Sequence, residues 1–239
     1  MAPPAPIAIF GDRDADLWGV VIGGETPQVA VARLASADVE LRTLDLDLGD
    51  GETWTVNAPG CALRVERADA DAGTDAGADD GAPVLEPCRV CGAATIGGIE
   101  LEFDVGGVRS DGLTLDGRDS LRLFASWFPA GHDVALLSSR PQGAKGHDRD
   151  GVGAVARGEE HPLVVDPRLS TTYGHDGQPR RVGVELWLGD DPEGDLWPRR
   201  VAGTATGSRV DRSGFSAYAF ECASRGEIGA GVYVLARRP

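Results

Sequence analysis

One lysine, Lys145, and one methionine are all that the 239 residues contain of those two types, alongside three tyrosines, four histidines and four cysteines. Basic charge is scarce altogether: 23 Lys and Arg stand against 38 Asp and Glu, a formal net charge of −15. The arginines are dispersed, adjacent only at 180–181, 199–200 and 237–238. Such a field repels phosphate backbones and anionic lipid, so nucleic acid is not an expected partner. Long apolar runs are missing too. No segment approaches the ~20 apolar residues of a membrane-spanning helix. The opening MAPPAPIAIFGDRDADLWG has neither a basic start nor a long apolar stretch of the kind that directs export. The expected compartment is therefore the cytoplasm, where thiols stay reduced.

Catalytic signatures are also wanting. No serine sits in a G-x-S-x-G elbow, and there is no H-E-x-x-H, phosphate loop or dinucleotide fingerprint. Cys88 and Cys91 form CRVCG, half of a zinc knuckle with no second pair; only Cys61 and Cys222 remain to complete one. The four are read as free thiols, and no metal, nucleotide or other cofactor is expected. Three of the four histidines lie in Gly-His-Asp triplets, at 131–133, 146–148 and 174–176. The neighbouring Pro and Gly residues make these turn chemistry. KGHDRDGVG has some of the spacing of a calcium loop, but Gly146 and Arg157 occupy its first and twelfth positions, where carboxylates are needed.

Short runs rich in β-branched and aromatic residues fill the rest, among 34 glycines and 15 prolines. IELEFDV alternates strictly, with Ile99, Leu101, Phe103 and Val105 opposite Glu100, Glu102 and Asp104. That period of two marks a half-buried strand. About fifteen such strands without a long amphipathic helix predict an all-β protein, a sandwich or an antiparallel barrel, in one large domain or two small lobes. We place the lobes at 1–110 and 111–239, with an acidic loop at 68–83 that has no large apolar residue to bury.

Three strands combine an apolar face with a mixed one. In SLRLFASWF, Leu121, Leu123, Ala125 and Trp127 oppose Arg122, Phe124, Ser126 and Phe128. In RRVGVELWL, Val182, Val184, Leu186 and Leu188 oppose Gly183, Glu185 and Trp187. In FSAYAFECA, Tyr218, Phe220 and Cys222 oppose Ala217, Ala219 and Glu221. A barrel that packs one face and lines a cavity with the other accounts for this pattern, and so does a two-sheet core with amphipathic aromatics at its surface. Glu185 or Glu221 in an apolar lumen would have a raised pKa and serve as a proton donor. The acid–base candidates are Glu185, His132 and Tyr218. Trp18, Phe124, Trp127, Phe128, Tyr173, Trp187 and Phe220 are the candidates for holding a hydrophobic small molecule.

DPRLSTTYGHDGQPRRVGVELWL, WPRRVAGTATG and FECASRGEIGAGVYVLARR together resemble the C-terminal part of the hydroxyneurosporene synthase (carotenoid hydratase)-like proteins, and FGDRDADLWGVVI resembles their opening strand. The resemblance covers about half of the chain. Where such proteins carry R-D-H-S-W-G, this sequence reads GRDSLRLFASWF, without the histidine. The resemblance implies paired lipocalin-like barrels and an isoprenoid hydratase or cyclase. Similar folds serve as cofactor-free [4+2] cyclases of polyenes in natural-product pathways. The expectation is such a cyclase, a homodimer being one assembly compatible with it. A ligand carrier without turnover and a hydratase using a carboxylic acid are the alternatives.

Overall fold

The structure is a computed structural model that describes residues 5–68, 84–145, 150–156, 164–189 and 198–238. It is all β. Seventeen strands among the described residues form two antiparallel sheets, each curled into a nearly closed barrel. The first sheet comprises β1 (Ala5–Asp12), β2 (Leu17–Ile22), β3 (Gln28–Ala32), β4 (Arg42–Thr43), β5 (Asp45–Asp47), β6 (Thr53–Ala58), β7 (Cys61–Arg67), β8 (Glu86–Ile96) and β9 (Ile99–Leu113). The second comprises β10 (Arg118–Trp127), β11 (Val134–Pro141), β12 (Gly151–Ala156), β13 (Val164–Tyr173), β14 (Pro179–Leu188), β15 (Arg199–Arg212), β16 (Phe215–Ser224) and β17 (Glu227–Arg237). Strand order is 4-3-2-1-9-8-7-6-5 in one and 12-11-10-17-16-15-14-13 in the other. No helix among the described residues is long and apolar enough to cross a membrane.

VELRTLDLDL, residues 39–48, holds two short strands, β4 and β5, that lie at opposite edges of the first sheet. The buried Leu44 makes the corner, its N–H donating to the Pro27 carbonyl at 3.1 Å. Thus one segment caps both edges and brings the barrel close to closure. IELEFDV is the outer end of a fifteen-residue strand, and Ile99 at its tip is exposed.

Three apolar layers result. Phe10, Trp54, Leu63, Val65 and Cys88 pack inside the N-terminal barrel, and Phe124, Phe220, Tyr233, Val184 and Leu186 inside the C-terminal one. The third lies between the barrels: Ile7, Ile9, Trp18 and Val20 from β1 and β2 against Leu121, Leu123, Ala125, Trp127, Val232 and Val234 from β10 and β17. Strands in this sandwich are covered on both faces. GVYVLA in β17 therefore reads as an unbroken apolar run, sending Tyr233 and Leu235 into the barrel and Val232 and Val234 between the lobes.

A polar clasp fixes how the lobes meet. The register of β15 slips between Ala205 and Arg209, with Gly207 in the left-handed region at φ 96°. This bulge presents Thr206 and Ser208 to the other lobe. The Trp18 indole N–H donates to Ser208 Oγ at 2.8 Å, Ser208 Oγ donates to the Arg33 carbonyl at 3.2 Å, and Thr206 Oγ1 donates to the Leu34 carbonyl. Trp18→Phe should lower the unfolding free energy in urea by about 1–3 kcal/mol, since a buried hydroxyl loses its donor. A loss below experimental error would show that the clasp does not hold the lobes.

Candidate functional site

At one end of the inter-lobe layer the two sheets diverge and leave a cleft of about 780 Å³. That volume lies within the ~300–1,000 Å³ of small-molecule sites. Ile7 on β1 and Ile22 on β2 form one wall, and Leu121, Leu123 and Val234 on β10 and β17 the other. All five are at most 6% exposed. Leu113 with Thr114–Asp116 and the β15–β16 turn, Arg212 to Phe215, complete the lining. The rim is charged: Glu25 and Asp116, with Arg212, Arg237 and Arg238. Arg212 reaches across the lobes to Gln28 Oε1 at 3.0 Å, and Arg238 donates to the Leu115 carbonyl at 3.0 Å. Gly23 allows the close wall, because a Cβ there would sit 2.4 Å from the ring of Pro6. The arrangement is an apolar slot with charged groups at its rim.

A smaller cavity of about 320 Å³ opens at the mouth of the C-terminal barrel. Asp176, Gln178, Arg209, Asp211, Tyr218 and Leu235 line it, and it shares Arg212, Gly214, Phe215 and Arg237 with the cleft. The turn at 212–215 is therefore the partition between the two.

The structure separates the candidate residues rather than gathering them. Phe124 and Phe220 meet edge to face inside the C-terminal barrel, ring centroids 6.4 Å apart, and both are fully buried. They are core, where a lumen lining was expected. Trp127 and Trp18 belong to the inter-lobe layer, Trp127 with its edge against Gly106, where a Cβ would lie 2.9 Å from Cδ1. Glu185 and Trp187 are on the outside of β14. Its inward positions are taken by Val182, Val184 and Leu186, so period two turns the others to the half-buried outer face. Glu185 pairs with Arg200 at 3.1 Å, and the Arg168 guanidinium lies 5.6 Å from the Trp187 ring centre. Glu221 is likewise outside, 3.5 Å from Arg13. Neither carboxylate occupies the apolar lumen that the proton-donor expectation required.

Tyr218 faces inward at the barrel mouth, and burial raises the pKa of its hydroxyl. Tyr173 lies at the same end, its hydroxyl 3.2 Å from that of the buried Tyr233 and its ring under Arg237 at 5.8 Å. Tyr233 also bonds Thr171 Oγ1 at 3.3 Å. All three tyrosines of the chain thus converge on one end of one barrel. His132 sits beyond the opposite end of β10, stacked flat on Phe128 with centroids 4.6 Å apart. It is 7% exposed, and burial lowers its pKa against the pull of Glu227, whose Oε2 is 3.9 Å from Nδ1. A histidine whose folded pKa is depressed stabilises the fold above the unfolded value near 6.5, and that contribution is lost as pH falls through it. Hence stability measured by urea should drop between pH 7.5 and 5, and His132→Gln should flatten that slope. An unchanged slope would contradict the burial argument.

Two Gly-His-Asp triplets are turns, as expected. Gly131 (φ 75°) donates to the Phe128 carbonyl at 2.8 Å, and Asp176 Oδ1 accepts the Gln178 N–H at 3.1 Å. The triplet at 146–148 and part of the acidic segment, 69–83, lie outside the described residues. Cys88 and Cys91, three apart on β8, point to opposite faces. Cys222 is in the C-terminal core, away from Cys61 and Cys88 in the N-terminal one, and Cys61 pairs with Ala94, six residues along β8 from Cys88. Burial pushes Cys61 up to about 11.

The cleft residues Ile7, Ile22, Leu121, Leu123 and Val234 escaped the sequence reading. The available signal was the runs apolar at every position, β2 and β17 above all, which mark strands covered on both sides.

No family model and no curated protein matches the chain. Solved structures do. CghA superposes with a TM-score of 0.63 at 11% identity, over 99% of this chain and 88% of that one. The chain shares the fold of CghA. The structure of CghA with Sch210972 gives a TM-score of 0.61 at 10% identity over 99% and 88%, and an AttH-like protein from Nitrosomonas europaea gives 0.62 at 10% over 98% and 92%. The paired lipocalin-like barrels expected from the sequence are thus present. At these identities the likeness to CghA concerns the fold alone.

Proposed function

We propose that the protein is a cyclase of the [4+2] type that folds a linear hydrophobic polyene in the cleft between its lobes. The observation that carries this is the cleft itself: about 780 Å³, apolar on both walls and charged at the rim. The fold shared with CghA, one structure of which was solved with Sch210972, is consistent with a ligand-holding role. In such a cyclisation a diene and an alkene of one chain form two carbon–carbon σ bonds as two π bonds are consumed. No proton, electron or group leaves, so the balance requires no acid, metal or oxidant. The work of the protein is to hold the chain folded with its ends in reach, and orientation of this kind contributes several kcal/mol, up to about 7–11 in the best cases. Arg212 and Arg237 at the rim are placed to polarise a carbonyl conjugated to the alkene. Of the acid–base candidates, Tyr218 lines the cavity that adjoins the cleft, whereas Glu185 is outside the barrel.

Purified protein should accelerate cyclisation of linear trienes bearing a tethered activated alkene, with the rate followed by loss of polyene absorbance. Glu185→Gln should keep that rate. Binding of every polyene without any change in rate would make the protein a carrier and end the cyclase reading. Loss of activity in Glu185→Gln would favour a reaction driven by a carboxylic acid.

A further inference from the structure

We propose that the mouth of the C-terminal barrel is a second binding site, adjoining the apolar cleft and sharing Arg212 and Arg237 with its rim, for a compact oxyanion: the carboxylate or phosphate group of a small polar molecule. The charge balance of the cavity points there. Three arginines, Arg209, Arg212 and Arg237, face two aspartates, Asp176 and Asp211. Both aspartates are already engaged. Asp211 pairs with Arg209 at 3.2 Å. Asp176 pairs with Arg180, which is outside the cavity, at 2.7 Å, and accepts the Gln178 N–H. Among the described residues Arg212 and Arg237 have no carboxylate partner: one is held by the amide of Gln28, the other lies over the ring of Tyr173. In a chain of net charge −15, two uncompensated guanidiniums in one concavity are a local reversal of sign, and guanidinium groups match planar oxyanions in geometry. Tyr218 lines the same cavity and adds a hydroxyl to it. At about 320 Å³ the cavity suits a compact polar molecule, not an extended chain.

Isothermal titration of the full chain at low ionic strength, with inorganic phosphate and with malonate as separate probes, tests this. Saturable binding of at least one is expected, weakening as sodium chloride is raised. Phosphate alone would identify a phosphoryl ligand and malonate alone a carboxylate. Arg212→Gln/Arg237→Gln should weaken binding about tenfold or more, and Tyr218→Phe by several-fold. Leu123→Trp, which fills the apolar slot at a residue that does not line the barrel mouth, should leave it unchanged in the folded variant, so that failure of the polyene slot and failure of this site are distinguishable. No saturable binding of either probe, or binding that survives the double arginine replacement, would overturn the proposal.

Discussion

Leu123→Trp is expected to lower kcat/KM for polyene cyclisation by about 100-fold, the scale of loss that misplacing a substrate by an ångström can cause. Leu123 pairs with Val234 of β17 and Leu137 of β11, is 1% exposed, and supplies part of the cleft wall. An indole there occupies the slot in which the chain must fold. Overpacking a core position also costs about 1–3 kcal/mol, so circular dichroism and urea unfolding must accompany the kinetics. Ile22→Phe, on the facing wall, provides a second route to the same narrowing. Leu123→Ala acts in the opposite sense: it widens the slot, so binding should persist while the rate falls, because the folded conformer is less well confined. Unaltered rates in folded Leu123→Trp and Ile22→Phe would remove the cleft from the mechanism.

Arg109→Ala is expected to remove about 3–5 kcal/mol, the cost of breaking a buried ion pair from one side. Folded domains are stable by only about 5–15 kcal/mol, so the variant should be largely unfolded at moderate temperature. Arg109 is fully buried on β9, its Nε donating to Glu86 Oε2 at 3.1 Å and its Nη1 to the Glu52 carbonyl at 3.1 Å. Nη2 reaches the Gly51 carbonyl, and the guanidinium stacks 5.0 Å from the centre of the Trp54 ring. It plugs one end of the N-terminal barrel and ties the β5–β6 turn to the sheet. Among the described residues Glu86 then keeps Arg67, at 2.7 Å, and two carbonyls are stranded. The pair Arg109→Met with Glu86→Gln should recover part of the loss, because a well-packed apolar replacement needs no compensating charge. A loss under about 1 kcal/mol for Arg109→Ala would contradict this reading of the plug.

Period-two alternation made the strands visible, and the faces it assigned to SLRLFASWF, RRVGVELWL and FSAYAFECA are those observed. What alternation could not say is which covering each face receives. Leu121, Leu123 and Trp127 pack against the other lobe, while Phe124 and Phe220 fill their own barrel, and both sets read simply as apolar. Glu185 and Trp187 share the half-buried outer face, although an acid beside a tryptophan has the same pattern when it lines a cavity. Arg109 is concealed in GGVRSDG, where an arginine among glycines reads as a loop, since burial of a guanidinium depends on partners far along the chain. The cleft is still less local. Its walls come from four strands and three connecting turns of both lobes, and only the docking of one sheet on the other brings them together.

Titration of methyl-labelled protein with a linear conjugated polyene, followed by NMR, tests most directly whether the ligand lies between the lobes. The methyl signals of Ile7, Ile22, Leu121, Leu123 and Val234 should shift as the polyene saturates, and those of Val182, Val184 and Leu186 inside the C-terminal barrel should stay in place. Shifts confined to the barrel interior, with the cleft methyls unmoved, would contradict the account.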